Sequence, residues 1–342
     1  MNTKIFKIDD DNIDKKSMEE LGAIIAGGGL VAFPTETVYG LGADALNEEA
    51  VKNIFKAKNR PADNPLIVHF DKIEDIEKVA FLTERARLVL EEFSPGPITV
   101  ILKKKESLSD FVTAGLGTVA VRIPSNKTAR ALIASSGKPI AAPSANLSGK
   151  PSPTTARDVI EDMSGRIDAI IDGCDSEVGV ESTVIDMTEE TPQILRPGGI
   201  TLSQIRKIIP EAKVDRHVLE SVEKNEKPKS PGMKYKHYAP KAEVYVVEGE
   251  KEKIHEKIEE LISKTEGKTI GVLSVGAEYS ADVVIFAGKD NKEYAKNLFR
   301  SLREFDRLGA DIVFAEFTDD EEYGLAVKNR LYKSAGNRVI HV

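Results

Sequence analysis

The sequence predicts an α/β protein in two parts, a mixed sheet followed by a smaller doubly wound parallel sheet. Three observations point there. The chain of 342 residues is longer than one ordinary hydrophobic core fills. In the first part, runs that read as strands often follow one another with no helix between them, which argues for mixed pairing. After Lys241, strand and helix signals alternate, as parallel strands joined by crossover helices require. The expected boundaries are 14–209 for the first domain, 210–241 for a linker and 242–342 for the second domain.

The elements follow in chain order. "SMEELGAIIAGGG" reads as a helix opened by a capping box, Ser17 and Glu20, and closed by glycines that can take the left-handed conformation. "LVAF" is a buried strand. "NEEAVKNIFKAK" starts at an asparagine cap and places Val51, Ile54, Phe55 and Lys58 on one helical face. "PLIVHF" is a strand, "TERARLVLEEF" a helix and "ITVIL" a strand. In "VAVRIP" the side chains alternate, so Ala120 and Arg122 share the face opposite Val119, Val121 and Ile123. "PIAAPSAN" runs from strand into polar loop. "IDAIIDG" and "STVIDM" are further strands, and "TLSQIRKII" opens with a second capping box, Thr201 and Gln204. Beyond the linker, "EVYVVEG", "TIGVLSV", "DVVIFAG" and "DIVFAEF" are strands separated by helical stretches such as "YAKNLFRSLREFDRLG".

Composition narrows the function. Charged residues make up 30% and hydrophobic residues 41%, the balance of a soluble globular protein. No apolar run is long enough to span a bilayer, and the N-terminal stretch lacks the apolar core of a signal peptide, so a cytoplasmic location is expected. The single cysteine, Cys174, excludes an internal disulfide and reads as a small turn residue or a nucleophile. A formal net charge of -8 argues against wrapping nucleic acid, so no stable nucleic-acid binding is expected, and any phosphate ligand must sit in a local pocket of Lys and Arg.

The common catalytic signatures are missing. There is no phosphate-binding G-x-x-x-x-G-K-[ST] loop and no G-x-S-x-G elbow. "GLGTVA" matches a dinucleotide fingerprint on paper but precedes a strand, where the fingerprint needs to open a helix. Five scattered histidines show no ligand spacing, so no protein-held metal site is expected. What remains is a set of polar loops at strand ends: "PTETVYGLGAD", "KAKNRPADNPL", "APSANLSGKPSPTTA", "GVESTVID" and "ILRPGG". Each alone is a turn rich in turn formers. Together they gather hydroxyls and backbone amides near Lys56, Lys58, Arg60 and Arg196, the surroundings a polyphosphate needs.

These loops, with "SPGPITVIL", "VAVRIP" and "SPGMKYKHYAP", resemble the YrdC-type domain and linker of the long-form threonylcarbamoyl-AMP synthases, in order from about Asp14 to Lys241. The resemblance implies a YrdC-type open twisted mixed sheet with a large basic cavity, and a Rossmann-like second domain. It implies a nucleotidyltransferase, an L-threonylcarbamoyladenylate synthase. L-threonine, bicarbonate and ATP, the last with magnesium, would give threonylcarbamoyl-AMP and pyrophosphate. A downstream transferase would then place the threonylcarbamoyl group on tRNA next to the anticodon. Carried over residue by residue, Lys58 and Arg60 are the catalytic cations. Asn64, Thr118, Ser144, Ser152, Arg196 and Tyr235 join them on ATP. Thr37, His69, Arg122, the Ala142 backbone and Ser182 fall to threonine. Such chemistry asks for positioning and charge neutralisation, which fits the absence of a nucleophile triad. From the sequence alone His69 reads first as a satisfied histidine at a strand end, and it is the resemblance that moves it to the threonine site.

The linker stretch "KSPGMKYKHYAPK" interleaves Tyr235, His237 and Tyr238 with lysines. Its tyrosines either close over a nucleotide or fasten the linker to the domains. Two other functions compete. One is an RNA-binding module of the same fold without adenylation activity. The other is the carbamoyl-phosphate chemistry of hydrogenase-maturation carbamoyltransferases, whose additional cysteines this chain lacks.

Overall fold

Among the described residues, short apolar runs at alternating spacing place eleven strands in one mixed sheet. In chain order they are β1 (Lys4–Lys7), β2 (Val31–Phe33), β3 (Gly40–Asp44), β4 (Ile67–His69), β5 (Ile98–Lys103), β6 (Thr118–Arg122), β7 (Ile140–Ala142), β8 (Ala169–Asp172), β9 (Thr183–Asp186), β10 (Gln193–Arg196) and β11 (Lys213–Val214). Their order across the sheet is β1-β8-β2-β3-β7-β4-β6-β5-β9-β10-β11. β4 and β6 run parallel, as do β5 and β9, while β3–β7, β4–β7 and β5–β6 are antiparallel. The computed structural model describes residues 2–218 and 237–342. It divides into one unit of Met1–Ser148, Ser152–Glu177 and Glu181–Lys234, and a second of Gly149–Pro151, Val178–Val180 and Tyr235–Val342.

Period-two alternation gives the first sheet two different faces. On one, Val68, Val100, Leu102, Val119, Val121 and Ile185 enter the main core with Val51, Ile54 and Phe55 of helix Glu48–Lys58 and Val89 and Leu90 of helix Glu84–Phe93. On the other, helices Lys15–Ala26 and Lys127–Ser136 cover only the half built from β1, β8, β2, β3 and β7. Those helices approach closely at Gly22, where a Cβ would lie 2.7 Å from the Ser135 backbone. Over the remaining half, Ile67, Ile101, Ala120, Val184 and Leu195 form a small apolar cluster from strands alone. Arg122 and Thr118 lie on this same face of β6, on either side of Ala120.

Several local expectations change. The first helix starts at Lys15, because Asp14 caps it by accepting from the Ser17 amide at 2.8 Å, so Ser17 is not the cap. Asn47 and the Thr201–Gln204 box cap their helices as expected. Gly40–Asp44 is strand where a loop was expected: glycines weaken strand propensity, but a Cβ at Gly42 would meet Ile140 at 2.7 Å and the Phe33 ring at 2.8 Å. β1 and β11 are short edge strands that carry little pattern.

The second unit holds β12 (Glu243–Glu248), β13 (Ile270–Ser274), β14 (Val283–Phe286), β15 (Ile312–Phe317) and β16 (Val339–His341), in the order β14-β13-β15-β12-β16, all parallel. The helix–strand alternation is not strict, since β13 and β14 are joined without a helix. Arg303 of helix Asn291–Arg307 donates to the Pro151 carbonyl through Nε at 3.1 Å and Nη2 at 2.6 Å. Tyr238 is buried with its ring 5.0 Å from Phe299 and the Arg330 guanidinium 5.8 Å from its ring centre. Of the two readings of the linker tyrosines, that packing fits fastening for Tyr238.

Candidate functional site

The site face begins where β4 and β6 end side by side. His69 and Arg122 are paired in register, and Ala142 on β7 pairs with Ile67 two residues before His69. Parity puts Thr118, Ala120 and Arg122 on one face of β6. Arg122 is 4% exposed and donates from Nη2 to Glu36 Oε1 at 2.7 Å. Arg122 Nε and Glu36 Oε2 are buried without a hydrogen-bond partner among the described residues. Burial first, then the charge of Arg122, pushes His69 down to about 3, so the imidazole is neutral. Its Nδ1 lies 3.2 Å from the Ile67 carbonyl, and its ring stands edge-on to Phe33 with centroids 6.2 Å apart. His69 thus has Nδ1 engaged at the strand end and adjoins the guanidinium.

Thr37 belongs to the loop between β2 and β3. Its hydroxyl is 2.9 Å from that of Thr35, which takes the Thr37 and Val38 amides, so the loop is wound tightly beside Glu36. Ser182 precedes β9 and is fully buried. Its hydroxyl meets Thr99 at 2.7 Å and accepts from Arg196 Nη2 at 3.2 Å, while Arg196 Nε donates to the Ser182 carbonyl at 3.1 Å. This approach needs Gly198, since a Cβ there would lie 2.2 Å from the Glu181 carbonyl and 2.5 Å from Ser182. Ser152 donates to Glu181 at 2.6 Å, bringing its loop to the same corner.

Lys58 ends its helix and is 1% exposed, and its ammonium donates to the carbonyls of Ser144 and Asn146. Ser144 in turn donates to the Asn146 side chain. Arg60 follows the left-handed turn at Asn59 and points Nη2 at the Asn64 and Pro65 carbonyls, 3.4 and 3.5 Å away. Asn64 is 1% exposed and its Oδ1 is buried without a hydrogen-bond partner among the described residues.

The structure thus brings together Arg122, His69, Ala142 and the Thr37 loop at one end, and Ser182, Arg196 and Ser152 at one corner. Lys58 and Ser144 form a third cluster, tied in by the bridge between Gly40 and Ser144. Thr118 stands apart from Arg122, at the far end of β6, about 13 Å along the strand at about 3.3 Å per residue. Tyr235 lies outside the described residues. Cys174 is an exposed loop residue whose thiol, partly desolvated and hydrogen-bonded to Asp10, is pushed up to about 11, which disfavours the thiolate. Sequence reading passed over Glu36 and Glu181, the two carboxylates that hold Arg122 and Ser152. Nothing local in "TET" or "VES" marks either acid, since the partners lie 86 and 29 residues away.

The comparisons assign the class first. The family model described as "Telomere recombination" matches residues 23–198, and the model "Threonylcarbamoyl-AMP synthase, C-terminal domain" matches residues 200–336. The chain is therefore a YrdC-type unit followed by a domain of the second kind. It belongs to the threonylcarbamoyl-AMP synthase family. It is 51% identical over 97% of its length to the threonylcarbamoyl-AMP synthase of Pyrococcus abyssi, 98% of which is covered. It is 47% identical, again over 97%, to that of Bacillus subtilis, with 96% covered. The crystal structure of P. abyssi Sua5 complexed with L-threonine superposes with a TM-score of 0.96 at 50% identity, covering 99% of this chain and all of that one.

Proposed function

We propose that the protein is an enzyme, a nucleotidyltransferase that forms threonylcarbamoyl-AMP and pyrophosphate from L-threonine, bicarbonate and ATP. The observation that carries this reading is the family membership over nearly the whole chain, joined to a sheet face that carries unlike groups at its two ends. Arg122 offers a planar fork to a carboxylate at one end. Hydroxyls, amides and the cations Lys58, Arg60 and Arg196 lie along the loops that border it.

In this reading the amine of threonine combines with bicarbonate, with loss of water, to give a carbamate. A carbamate oxygen then attacks the α-phosphorus of ATP as the bond to the bridging oxygen breaks, and pyrophosphate leaves with the electron pair. Arg122 holds the threonine carboxylate. Thr37, Ser182 and the Ala142 backbone fix the remaining polar groups, and neutral His69 offers a hydrogen bond without a second positive charge. Lys58 and Arg60 neutralise the triphosphate, with Asn64, Thr118, Ser144, Ser152 and Arg196 orienting the nucleotide. Charge neutralisation in a site closed to water is the larger share of such catalysis. Magnesium bound to ATP would offset part of the triphosphate charge beside Lys58 and Arg60. Among the described residues no group of three His, Cys, Asp or Glu is placed to hold a metal. The product is a reactive mixed anhydride, so a transferase acting on tRNA must consume it. Among the described residues no helix is long and apolar enough to cross a membrane, and a cytoplasmic location fits a tRNA-modifying step.

The test is incorporation of labelled bicarbonate into an adenylate that co-migrates with threonylcarbamoyl-AMP. Label should appear only with both L-threonine and ATP. Label in an adenylate formed without threonine would overturn the reading.

A further inference from the structure

Glu36 is a buried carboxylate that the proposed chemistry leaves unused. It is 6% exposed and sits between two threonines in the loop that joins β2 to β3. One carboxylate oxygen takes the Arg122 Nη2 at 2.7 Å, and the other has no hydrogen-bond partner among the described residues. Arg122 mirrors this state, with Nη2 engaged and Nε buried and unpartnered. Each member of the pair therefore keeps one desolvated polar atom unsatisfied, a state proteins rarely keep without a use. An Arg–carboxylate pair that served only to brace the fold would gain by closing both contacts at once.

A free α-amino acid carries the complementary charges on adjacent atoms, a carboxylate and an ammonium one carbon apart. We propose that Glu36 is a specificity-determining residue that binds the α-ammonium of the amino-acid substrate, while Arg122 binds its carboxylate. The proposal rests on the reading of threonine as substrate. Both unpartnered atoms are closed to solvent, so the zwitterion reaches them by parting the pair. Parting exposes one negative and one positive group, and the ligand answers both. The exchange conserves charge inside the site, which an isolated carboxylate or an isolated amine would not do. Neutral His69 adds no third charge to the exchange. The site then selects α-amino acids by a mechanism separate from the hydroxyl contacts that select threonine's side chain.

The test compares two ligands by calorimetry, L-threonine and (3R)-3-hydroxybutyrate, which keeps the carboxylate and hydroxyl but lacks the amine. The parent protein should prefer L-threonine strongly. Glu36→Gln, nearly the same size, should lose about 10- to 100-fold in threonine affinity and leave hydroxybutyrate binding unchanged, so that the preference collapses. Equal loss of both ligands would mean that Glu36 only braces Arg122. Tighter binding of both would mean that it merely blocks the guanidinium. Either result overturns the proposal. The parent alone also decides the matter if the variant does not fold. Equal binding of the two ligands by a threonine-binding parent refutes the role of Glu36. A parent that binds no L-threonine refutes the underlying substrate reading, and the proposal with it.

Discussion

His69 at about 3 and the same side chain in an unfolded chain, near 6.5, differ in proton affinity, and the difference has a sign. Between those values the unfolded state takes up a proton that the folded state refuses. The stabilisation is therefore complete above about pH 6.5 and is lost as pH falls toward about 3. Denaturant unfolding followed across that window should show His69→Gln with a shallower acid slope than the parent, by up to about 1.4 kcal/mol per pH unit. An unchanged slope would mean that His69 is charged when folded. Arg122 and Lys58 should fail differently. Arg122→Ala should raise the threonine requirement about 10- to 100-fold with little change for ATP, the worth of a charge-assisted pair. Lys58→Ala should damage ATP use and turnover, and it should also loosen the Ser144–Asn146 loop that its ammonium holds. Calorimetric binding of threonine to Arg122→Ala at parental affinity would remove Arg122 from the site. The candidate residues themselves could be picked out in the sequence through their loops. Glu36 and Glu181 could not, because nothing local marks a carboxylate whose partner lies 86 or 29 residues away.

The alternation in "VAVRIP" showed in advance which side chains of β6 share a face, and the structure keeps that division across β4, β5, β6 and β9. Substitutions on the two faces should separate. Leu102→Ala, on the core face of β5, should cost about 2–5 kcal/mol of stability and leave the folded fraction's substrate affinities near parental. Ala120→Leu, on the site floor, should cost no more than about 1–3 kcal/mol and weaken substrate binding about tenfold or more. Chemical denaturation paired with calorimetry reads both; parental binding by Ala120→Leu would place the substrates elsewhere. Elements were legible where burial on one or both faces set a clear period. β3 was missed because its glycines are dictated by Phe33 and Ile140 from other strands, a tertiary demand that no local window contains. The first cap was misplaced because Asp14 and Ser17 are both good caps three residues apart, and only the backbone decides between them.

Two units with separate cores should respond separately to damage. Phe305 is fully buried in the second unit, where its ring fills the space a Cβ on Gly271 would occupy. Phe305→Ala should destabilise that unit by about 3–5 kcal/mol, while amides of β5 and β6 keep parental protection in hydrogen exchange. Loss of protection in β5 and β6 would mean that one cooperative unit spans the chain. The two-part architecture was readable because strand and helix signals change their order after Lys241; the missing helix between β13 and β14 was not, since a short loop and a crossover look alike when both flanking strands are plain. The reaction assigned to the whole molecule is tested most directly by pyrophosphate release from ATP with L-threonine and bicarbonate each left out in turn, and with no RNA present. Release that requires both small substrates and needs no RNA is the result expected here. Full release without threonine, or an absolute requirement for RNA, would contradict it.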